Sequence, residues 1–298
     1  MPRRRWRSFN GHRGGKLKVS VIGSGTMGRG IGQIFAQNGY DVNQVDVDQT
    51  ALNMAEKSIL ESLNKLYSKH AISESPEDIL KRINFSDSME SVRRSDLVIE
   101  AVFEKLEIKT DTLSKISDTV DKDVIIGTNT SSISINFLSK YVRNPERFLG
   151  IHFFNPVPIM KLVEVVSSEL TTEFYLKKAS DLLVNVGKDP VFVKDFPGFV
   201  SNRVLMPLIR EAILVFEENV ANARDIDKTF RLGMNHPMGP LELADFIGLD
   251  VCQDIMEVLY INYGDPRFKA PVTLRNFVNS GKLGRKSGEG FYKYEVKK

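Results

Sequence analysis

The feature that most constrains the fold of this chain is a glycine-rich turn close to its start. Residues 17–22 (LKVSVI) predict a β-strand, and the GSGTMG that follows matches the pattern GxGxxG and leads into a helix predicted over residues 27–38. In that setting the glycines permit a tight turn, a close approach of backbone to a pyrophosphate, and close packing of helix on strand. Free N–H groups at the helix N-terminus attract phosphate. The pattern predicts a dinucleotide-binding loop, with contacts from Gly23, Gly25, Thr26, Met27 and Gly28.

An acidic residue lies at the end of the next predicted strand, over residues 40–47. Asp46 stands 18 residues beyond Gly28, where a carboxylate accepts hydrogen bonds from both hydroxyls of a ribose and repels a 2′-phosphate. No Arg or Lys follows before Lys57. We therefore expect NAD, and not NADP, as the cofactor. The alternative is a glycine turn followed by an Asp that only caps the next helix.

Strand and helix patterns alternate over the first two thirds of the chain. A long helix is predicted over residues 49–69 and a helix start at 75–78, with strands at 83–86, 96–102, 124–129, 148–154, 162–166 and 191–193. Beyond residue 197 strand signals become rare, and helical spacing covers 199–219, 223–232, 241–263 and 271–279. Alternation of this kind indicates βαβ units. We predict an α/β fold, with a Rossmann-type, mainly parallel sheet domain over residues 17–196 and an all-helical C-terminal domain over residues 197–298.

His152 and Glu164 are the candidates for acid–base chemistry. His152 lies near the end of an apolar strand, and the carboxyl ends of strands are where open α/β sheets bind ligands. Twelve residues later Glu164 interrupts the apolar strand LVEVV, where a carboxylate needs a partner. A histidine on an adjacent strand would be such a partner, and the pair would suit a general base. The sequence leaves open a purely structural His–Glu pair and a solvent-facing Glu164 on a sheet edge.

Polar residues also gather after a buried strand candidate and beyond the domain boundary. Asn129 and Ser131 lie in the segment TNTSS, where their side chains would hold a carbonyl, a hydroxyl or the nicotinamide amide. The alternative is that this segment caps the next helix, since Ser and Asn are good caps. Asn202 falls in the first turn after the domain boundary.

The net formal charge of +3 is concentrated at the N-terminus. Residues 1–16 contain six Lys and Arg side chains and no acid, so the remainder of the chain is slightly acidic and gives no reason to expect nucleic-acid binding. We expect these residues to be a basic, disordered tail or a misassigned start. A mitochondrial transit segment and a functional basic arm are the alternatives.

Cysteine content and hydropathy limit the setting of the protein. Cys252 is the single cysteine, which excludes an internal disulfide and fits a reducing compartment. No run of roughly 18 apolar residues occurs, so we expect no transmembrane helix. We expect a cytoplasmic protein without membrane or nucleic-acid partners and without a metal site. The mitochondrial matrix is the alternative if the basic N-terminus is a transit segment.

Several segments together carry a resemblance to a known family: VIGSGTMGRGI, TNTSS, HFFNPVPIMKLVEVV, PGFVSNRVL, MNHPMGPLELADFIGLD and GRKSGEGFY. From about Lys18 to Tyr294 the chain resembles the 3-hydroxyacyl-CoA dehydrogenase family, of the 3-hydroxybutyryl-CoA type. GxGxxG is shared by many dehydrogenases, whereas HFFNP followed by LVEV is far more restricted. The resemblance implies a homodimeric, NAD-dependent oxidoreductase of fatty acid metabolism such as β-oxidation. It would interconvert (S)-3-hydroxyacyl-CoA and 3-oxoacyl-CoA with short acyl chains.

The resemblance also implies roles for individual residues. His152 would be the catalytic base and Glu164 its orienting partner. The substrate's 3-oxygen, the histidine and the thioester region would be positioned by Ser131, Asn155 and Asn202. The cofactor side would include Glu104, Lys109 and Lys286. Ser62 and Lys69, on the helix after Asp46, match positions that contact coenzyme A, and the alternative for Lys69 is a solvated helix lysine.

Two positions depart from the family pattern. Ser201 stands where a β-branched residue is usual, and we expect no effect from it. Asn219 replaces a common turn glycine, and because Asn tolerates left-handed backbone the turn should survive.

Two rival functions follow from the same residues. The first is a related dehydrogenase that acts on a non-CoA hydroxy acid or a sugar acid, as gulonate dehydrogenases do, and Ser62 and Lys69 argue for CoA instead. The second is a structural protein that keeps the fold without turnover, as some lens crystallins do. The complete set of candidate catalytic residues argues against it.

Overall fold

The computed structural model describes residues 17–295, so the expectation of a disordered basic tail over residues 1–16 lies outside the described residues. The chain divides into two compact units, the first ending at Asp195 and the second beginning at Phe196. Within residues 17–295, none of the helices combines the length and the apolar character that crossing a membrane requires.

The first unit is built on an eight-stranded sheet. Its strands are β1 (Lys18–Ile22), β2 (Asp41–Val45), β3 (Ile83–Ser86), β4 (Leu97–Glu100), β5 (Ile125–Thr128), β6 (Phe148–Phe153), β7 (Leu162–Ser167) and β8 (Asp189–Lys194). Their order across the sheet is β3-β2-β1-β4-β5-β6-β7-β8. Neighbouring strands pair in parallel except β6 and β7, whose short connection over residues 154–161 allows only an antiparallel pair. The predicted Rossmann-type, mainly parallel sheet is confirmed.

Helices fill most of the connections between these strands. They are α1 (Thr26–Gln37), α2 (Gln49–Ser68), α3 (Pro76–Leu80), α4 (Leu106–Thr119), α5 (Ile135–Leu138) and α6 (Glu173–Asn185). Local sequence sets two of their starts, because the Asp48 side chain accepts a hydrogen bond from the N–H of Thr50 and Ser75 accepts one from Asp78. Neither α4 nor α6 was predicted from the sequence as a separate helix.

The core of the first unit lies between the sheet and these helices. Val19, Val21 and Ile99 from the central strands belong to one buried cluster with Ile31 and Phe35 of α1. Strands β4, β5 and β6 are buried at every position, as expected for a sheet that is covered on both faces. A polar side chain in these strands therefore needs a partner inside the protein.

The second unit is helical, as predicted. Its helices are α7 (Ser201–Glu217), α8 (Ala223–Gly233), α9 (Pro240–Ile247), α10 (Leu249–Tyr263) and α11 (Val272–Asn279). The single helix predicted over residues 241–263 is wrong, because the chain breaks at Gly248, whose φ of 107° favours glycine. Asn219 adopts a φ of 58°, so the expectation that this residue supports a left-handed turn is confirmed.

The core of the second unit collects buried side chains from all five of its helices. Met206, Ile209 and Ile213 pack in one cluster with Cys252 and Met256. Burial raises the pKa of the Cys252 thiol to about 12. This cysteine is therefore a packing residue and stays protonated at neutral pH.

Candidate active site

The glycine loop after β1 has a backbone that other residues would disturb. Gly23 has a φ of 103°, and a Cβ atom there would lie 2.5 Å from the carbonyl oxygen of Ala101. A Cβ atom on Gly28 would lie 1.8 Å from the carbonyl oxygen of Gly23, whereas one on Gly25 would meet nothing within 4 Å. Gly23 and Gly28 are thus needed for the packing of the loop itself. Gly25 leaves open space before α1, which fits a pyrophosphate at the helix N-terminus.

Asp46 is held against this loop, one residue beyond the end of β2. Its Oδ2 accepts a hydrogen bond from the N–H of Ser24 at 2.7 Å, and its Oδ1 accepts one from Asp48 at 3.1 Å. The N-cap of α2 is Asp48 and not Asp46, so the alternative in which Asp46 only caps that helix is wrong. A fixed carboxylate beside an open glycine loop fits the adenosine ribose of NAD.

A buried glutamine, which no sequence motif marks, supports the same loop. The Nε2 of Gln44 donates to the carbonyl oxygen of Gly23 at 2.7 Å, and the Gln44 side chain is fully buried in β2. A Cβ atom on Gly32 would lie 2.4 Å from the Oε1 of Gln44, so this amide fills the space between β2 and α1. Gln44 could have been found from the sequence as an amide in a strand that a parallel sheet, covered on both faces, buries.

His152 and Glu164 form a buried pair across β6 and β7. The two residues face each other in the antiparallel register, and the His152 Nδ1 lies 2.8 Å from the Glu164 Oε2. His152 is 8% exposed and Glu164 is 2% exposed. Because β7 lies between β6 and β8, the alternative of a solvent-facing Glu164 on a sheet edge is wrong. A carboxylate on Nδ1 sets the imidazole tautomer and stabilises its charged form, as a general base requires.

The hydroxyl-rich segment after β5 is organised by Glu104. One carboxylate oxygen, Oε1, accepts hydrogen bonds from the hydroxyl of Thr130 at 2.5 Å, from the N–H of Ser131 at 2.9 Å and from the hydroxyl of Ser132 at 3.0 Å. The cap of α5 is Ser134, which accepts from the N–H of Phe137. The alternative in which Asn129 and Ser131 serve as the helix cap is therefore wrong.

Asn129 instead ties β5 to the strand that carries His152. Its Oδ1 accepts a hydrogen bond from the N–H of Phe153 at 2.9 Å. Asn155 lies shortly after the end of β6 and is exposed at the start of the connection between β6 and β7. Asn129 therefore links the Ser131 segment directly to the residue next to His152.

Lys109 lies behind Glu104 and is almost completely buried. Its Nζ is 2.8 Å from the Oε1 of Glu100 and 3.2 Å from the Oε2 of Glu104. Burial alone would raise the pKa of Glu104, but the charge of Lys109 and the hydrogen bonds from Thr130 and Ser131 outweigh it and hold that pKa below its usual value. Lys109 thus keeps Glu104 ionised for its contacts with the Ser131 segment.

Glu100 is a further buried carboxylate, and it was not predicted from the sequence as a site residue. It is fully buried at the end of β4, and its Oε2 accepts a hydrogen bond from the Thr128 hydroxyl at 2.6 Å. Its Oε1 accepts from the N–H of Val102 in addition to Lys109. Glu100 therefore joins the ends of β4 and β5 to the base of α4.

Ser62 lies on α2, and Lys69 is the residue that caps the C-terminal end of this helix. Ser62 is half-buried, and Lys69 is exposed at the end of the helix. Their spacing of two helical turns places both on one face of α2.

In the second unit, Asn202 and Lys286 occupy separate positions. Asn202 is buried in the first turn of α7, and Lys286 is paired with Asp250, Nζ to Oδ2, at 2.5 Å. The segment that carries Lys286 is fastened to α9, because the carboxylate of Asp245 accepts hydrogen bonds from the N–H groups of Phe291 and Tyr292. Lys286 therefore lies in a segment whose backbone is held in place against α9.

These features together define a class of protein. A glycine loop, an acid just after β2 and a buried histidine–carboxylate pair in one mainly parallel sheet are features of a dinucleotide-dependent dehydrogenase. The 3-hydroxyacyl-CoA dehydrogenase NAD binding domain matches residues 18–196, and the C-terminal domain of that family matches residues 198–294. The chain belongs to the 3-hydroxyacyl-CoA dehydrogenase family. The resemblance, the NAD cofactor and the enzyme class expected from the sequence are confirmed.

Individual relatives match over nearly the whole chain. A probable 3-hydroxybutyryl-CoA dehydrogenase of Deinococcus radiodurans is 46% identical over 93% of this chain and 100% of its own. A 3-hydroxybutyryl-CoA dehydrogenase of Clostridioides difficile is 42% identical over 93% of this chain and 99% of its own. The crystal structure of an (S)-3-hydroxybutyryl-CoA dehydrogenase from Ralstonia eutropha has a TM-score of 0.90 at 41% identity, covering 95% of this chain and 100% of its own. A diketoreductase described for its catalysis of dicarbonyl compounds has a TM-score of 0.82 at 31% identity, covering 94% and 99%.

Proposed function

We propose that this enzyme interconverts short-chain (S)-3-hydroxyacyl-CoA and 3-oxoacyl-CoA, with 3-hydroxybutyryl-CoA and acetoacetyl-CoA as its substrate pair. The observation that carries the proposal is the 2.8 Å contact between His152 and Glu164 in the same sheet as the NAD loop. The relatives from Deinococcus radiodurans, Clostridioides difficile and Ralstonia eutropha support the short acyl chain, since each is named for 3-hydroxybutyryl-CoA.

His152 moves the proton in this reaction. In oxidation its Nε2 accepts the proton of the 3-hydroxyl group, while Glu164 holds Nδ1–H and steadies the resulting imidazolium. NAD, when held by the glycine loop and Asp46, would supply the hydride acceptor for the substrate C3. In reduction the protonated His152 returns its proton to the 3-oxo oxygen.

The remaining candidates position the reactants. Ser131 would donate to the 3-oxygen of the substrate, with Asn155 and Asn202 holding the histidine and the thioester region. Glu104, Lys109, Asn129 and Lys286 would line the cofactor side, and the buried pairing of Lys109 supports a role through Glu104. Ser62 and Lys69 would contact coenzyme A, and the exposed ammonium of Lys69 suits its phosphates.

A substrate without CoA is the second candidate, and the similarity to a diketoreductase favours keeping it. The assay compares NADH oxidation on acetoacetyl-CoA and on acetoacetate. We expect a large preference for the CoA thioester, and Lys69→Met should raise its KM. A comparable kcat/KM on acetoacetate would contradict the CoA proposal.

The role of the histidine is tested separately. His152→Gln should lower kcat by about 10²- to 10⁴-fold, the usual contribution of a positioned general base, while NADH binding is retained. Near-normal turnover would contradict the assignment of His152 as the base.

We also propose that the enzyme is a homodimer and that it is located in the cytoplasm. Val204, Leu232 and Ile261 of the second unit are each more than half exposed, and apolar side chains of this kind are typical of a surface that a second subunit covers. Light scattering coupled to size-exclusion chromatography should give twice the mass of the chain. A monomer at micromolar concentration would contradict the dimer. Recovery of the native protein in an organelle fraction would favour the mitochondrial alternative.

A further inference from the structure

Lys188 is a buried lysine that the reaction described above does not use. It lies between α6 and β8 and is 7% exposed. Its Nζ donates to the carbonyl oxygen of Met160 at 2.7 Å and to that of Val157. Placing an ammonium in the interior costs free energy unless its hydrogen bonds are made, so these two carbonyl contacts define where the group belongs.

Both carbonyl groups belong to the connection between β6 and β7, residues 154–161. The connection contains a tight turn, because the N–H groups of Ile159 and Met160 both donate to the carbonyl oxygen of Pro156 at 3.0 Å. It ends where the N–H of Asp189 donates to the carbonyl oxygen of Lys161 at 2.8 Å. The ammonium therefore fastens this connection to the start of β8.

The same connection also touches the helix that follows the glycine loop. Val157 is 2% exposed, and a Cβ atom built on Gly30 of α1 would lie 2.9 Å from the Cβ of Val157. Residues 154–161 thus contact α1 and join the two strands that carry His152 and Glu164. A shift of this connection would move Asn155 and change the spacing between the histidine strand and the dinucleotide helix.

We propose that Lys188 is a positioning residue for the dehydrogenase reaction. Its ammonium fixes the connection over residues 154–161, and through it the placement of Asn155 and of the His152–Glu164 pair relative to α1. The proposal rests on the roles proposed above for His152 and Asn155. Small displacements matter here, because a shift of about 1 Å in reacting groups lowers the rate by as much as about 10²-fold.

The test compares three variants of the full-length enzyme. Lys188→Met keeps the length of the side chain and removes every donor, Lys188→Arg keeps a cation with donors, and Lys122→Met is the control at an exposed turn before β5. The measurements are kcat and KM for acetoacetyl-CoA, the Kd for NADH by fluorescence titration, and amide hydrogen exchange of the peptide that spans residues 155–162.

We expect Lys188→Met to lower kcat by about ten- to hundredfold, with a change of less than about threefold in the Kd for NADH. Exchange should accelerate at Ile159 and Met160, whose N–H groups depend on the turn. Lys188→Arg should recover part of the lost kcat, and Lys122→Met should match the unmodified enzyme. This division between kcat and Kd separates positioning from a general loss of folded protein.

Several results would overturn the proposal. A folded Lys188→Met enzyme with unchanged kcat would do so, as would a lower kcat without faster exchange in the connection. If Lys188→Met does not fold, Lys188→Gln, which keeps one donor group on a shorter side chain, is measured in its place under the same criteria. His152→Gln distinguishes the two proposals: an active His152→Gln enzyme refutes the proposed base, whereas an inactive one beside an active Lys188→Met enzyme refutes only the role of Lys188.

Discussion

The buried ammonium of Lys188 should make the stability of this protein rise with pH over an alkaline interval. Burial lowers the pKa of Lys188 from 10.5 to about 8. Between these values the folded protein holds the neutral amine while the unfolded chain still binds the proton, so the free energy of unfolding increases with pH. The stabilising contribution of Lys188 is complete above its pKa in the unfolded chain. It is lost as the pH falls through its pKa in the folded protein. At 1.36 kcal/mol per pKa unit, the shift corresponds to about 3 kcal/mol.

The assay is denaturant unfolding, followed by circular dichroism, from about pH 7 to about pH 10.5, the interval over which Lys188 titrates in the two states. The quantity of interest is the free energy of unfolding of the unmodified protein minus that of Lys188→Met, because groups that titrate in both proteins cancel. We expect this difference to rise by about 3 kcal/mol. Lys188→Arg provides a second reference, since a guanidinium stays protonated here.

The exposed lysine at position 122 provides the control. Lys122→Met replaces an exposed lysine in a turn, and we expect it to give a difference that does not change with pH. A difference for Lys188→Met that is flat or that falls as the pH rises would refute the reasoning, since it would mean that the folded protein does not disfavour the ammonium.

Three further predictions follow from the site. Gly28→Ala should destabilise the fold by about 3 kcal/mol and lower the Tm, because the added methyl group overpacks against Gly23. Gly25→Ala should leave the Tm unchanged and weaken NADH binding, which thermal melts and fluorescence titration would measure. Equal effects of the two substitutions would contradict the loop geometry. Asp46→Ser combined with Val47→Arg, at an exposed position, should raise the ratio of kcat/KM for NADPH to that for NADH by at least about tenfold, and an unchanged ratio would count against Asp46 as the ribose acid. Glu164→Gln should lower kcat by about 10²-fold and leave the Kd for NADH unchanged, as measured by steady-state kinetics and fluorescence titration. Normal turnover in this variant would mean that the His152–Glu164 pair has only a structural role.

The cofactor half of the site could be predicted from local sequence. The glycine loop, the helix after it and Asp46 lie within about 30 residues of one another. Glycine meets the backbone requirement of the loop and a single aspartate supplies the charge, so both can be read from individual residues. The His152–Glu164 pair was only one of several interpretations from the residues alone. Its geometry depends on the antiparallel register of β6 and β7, which the spacing of twelve residues permits but does not require.

The supporting residues could not be predicted because their partners are set by the folded sheet. Gln44 reaches Gly23 across the sheet, Lys188 reaches carbonyl groups about 30 residues away in sequence, and Glu100 meets Lys109 only because α4 packs beside β4. In sequence these are an amide, a lysine and a carboxylate with no motif around them. The break at Gly248 was missed for a different reason, since apolar spacing continues across it and conceals the change of backbone direction.

The antiparallel pairing of β6 and β7 also bears on how faithfully this protein folds. Side chains in a strand alternate between faces, so a slip of one residue would turn the Glu164 carboxylate towards the face where Val163 and Val165 are packed in the apolar core. There it would be a buried charge without its histidine, at a cost of several kcal/mol. The residue proposed to steady the imidazolium would thus also penalise mispaired strands, and a chain that folds with this hairpin in register has assembled its proton-transfer pair in the same step.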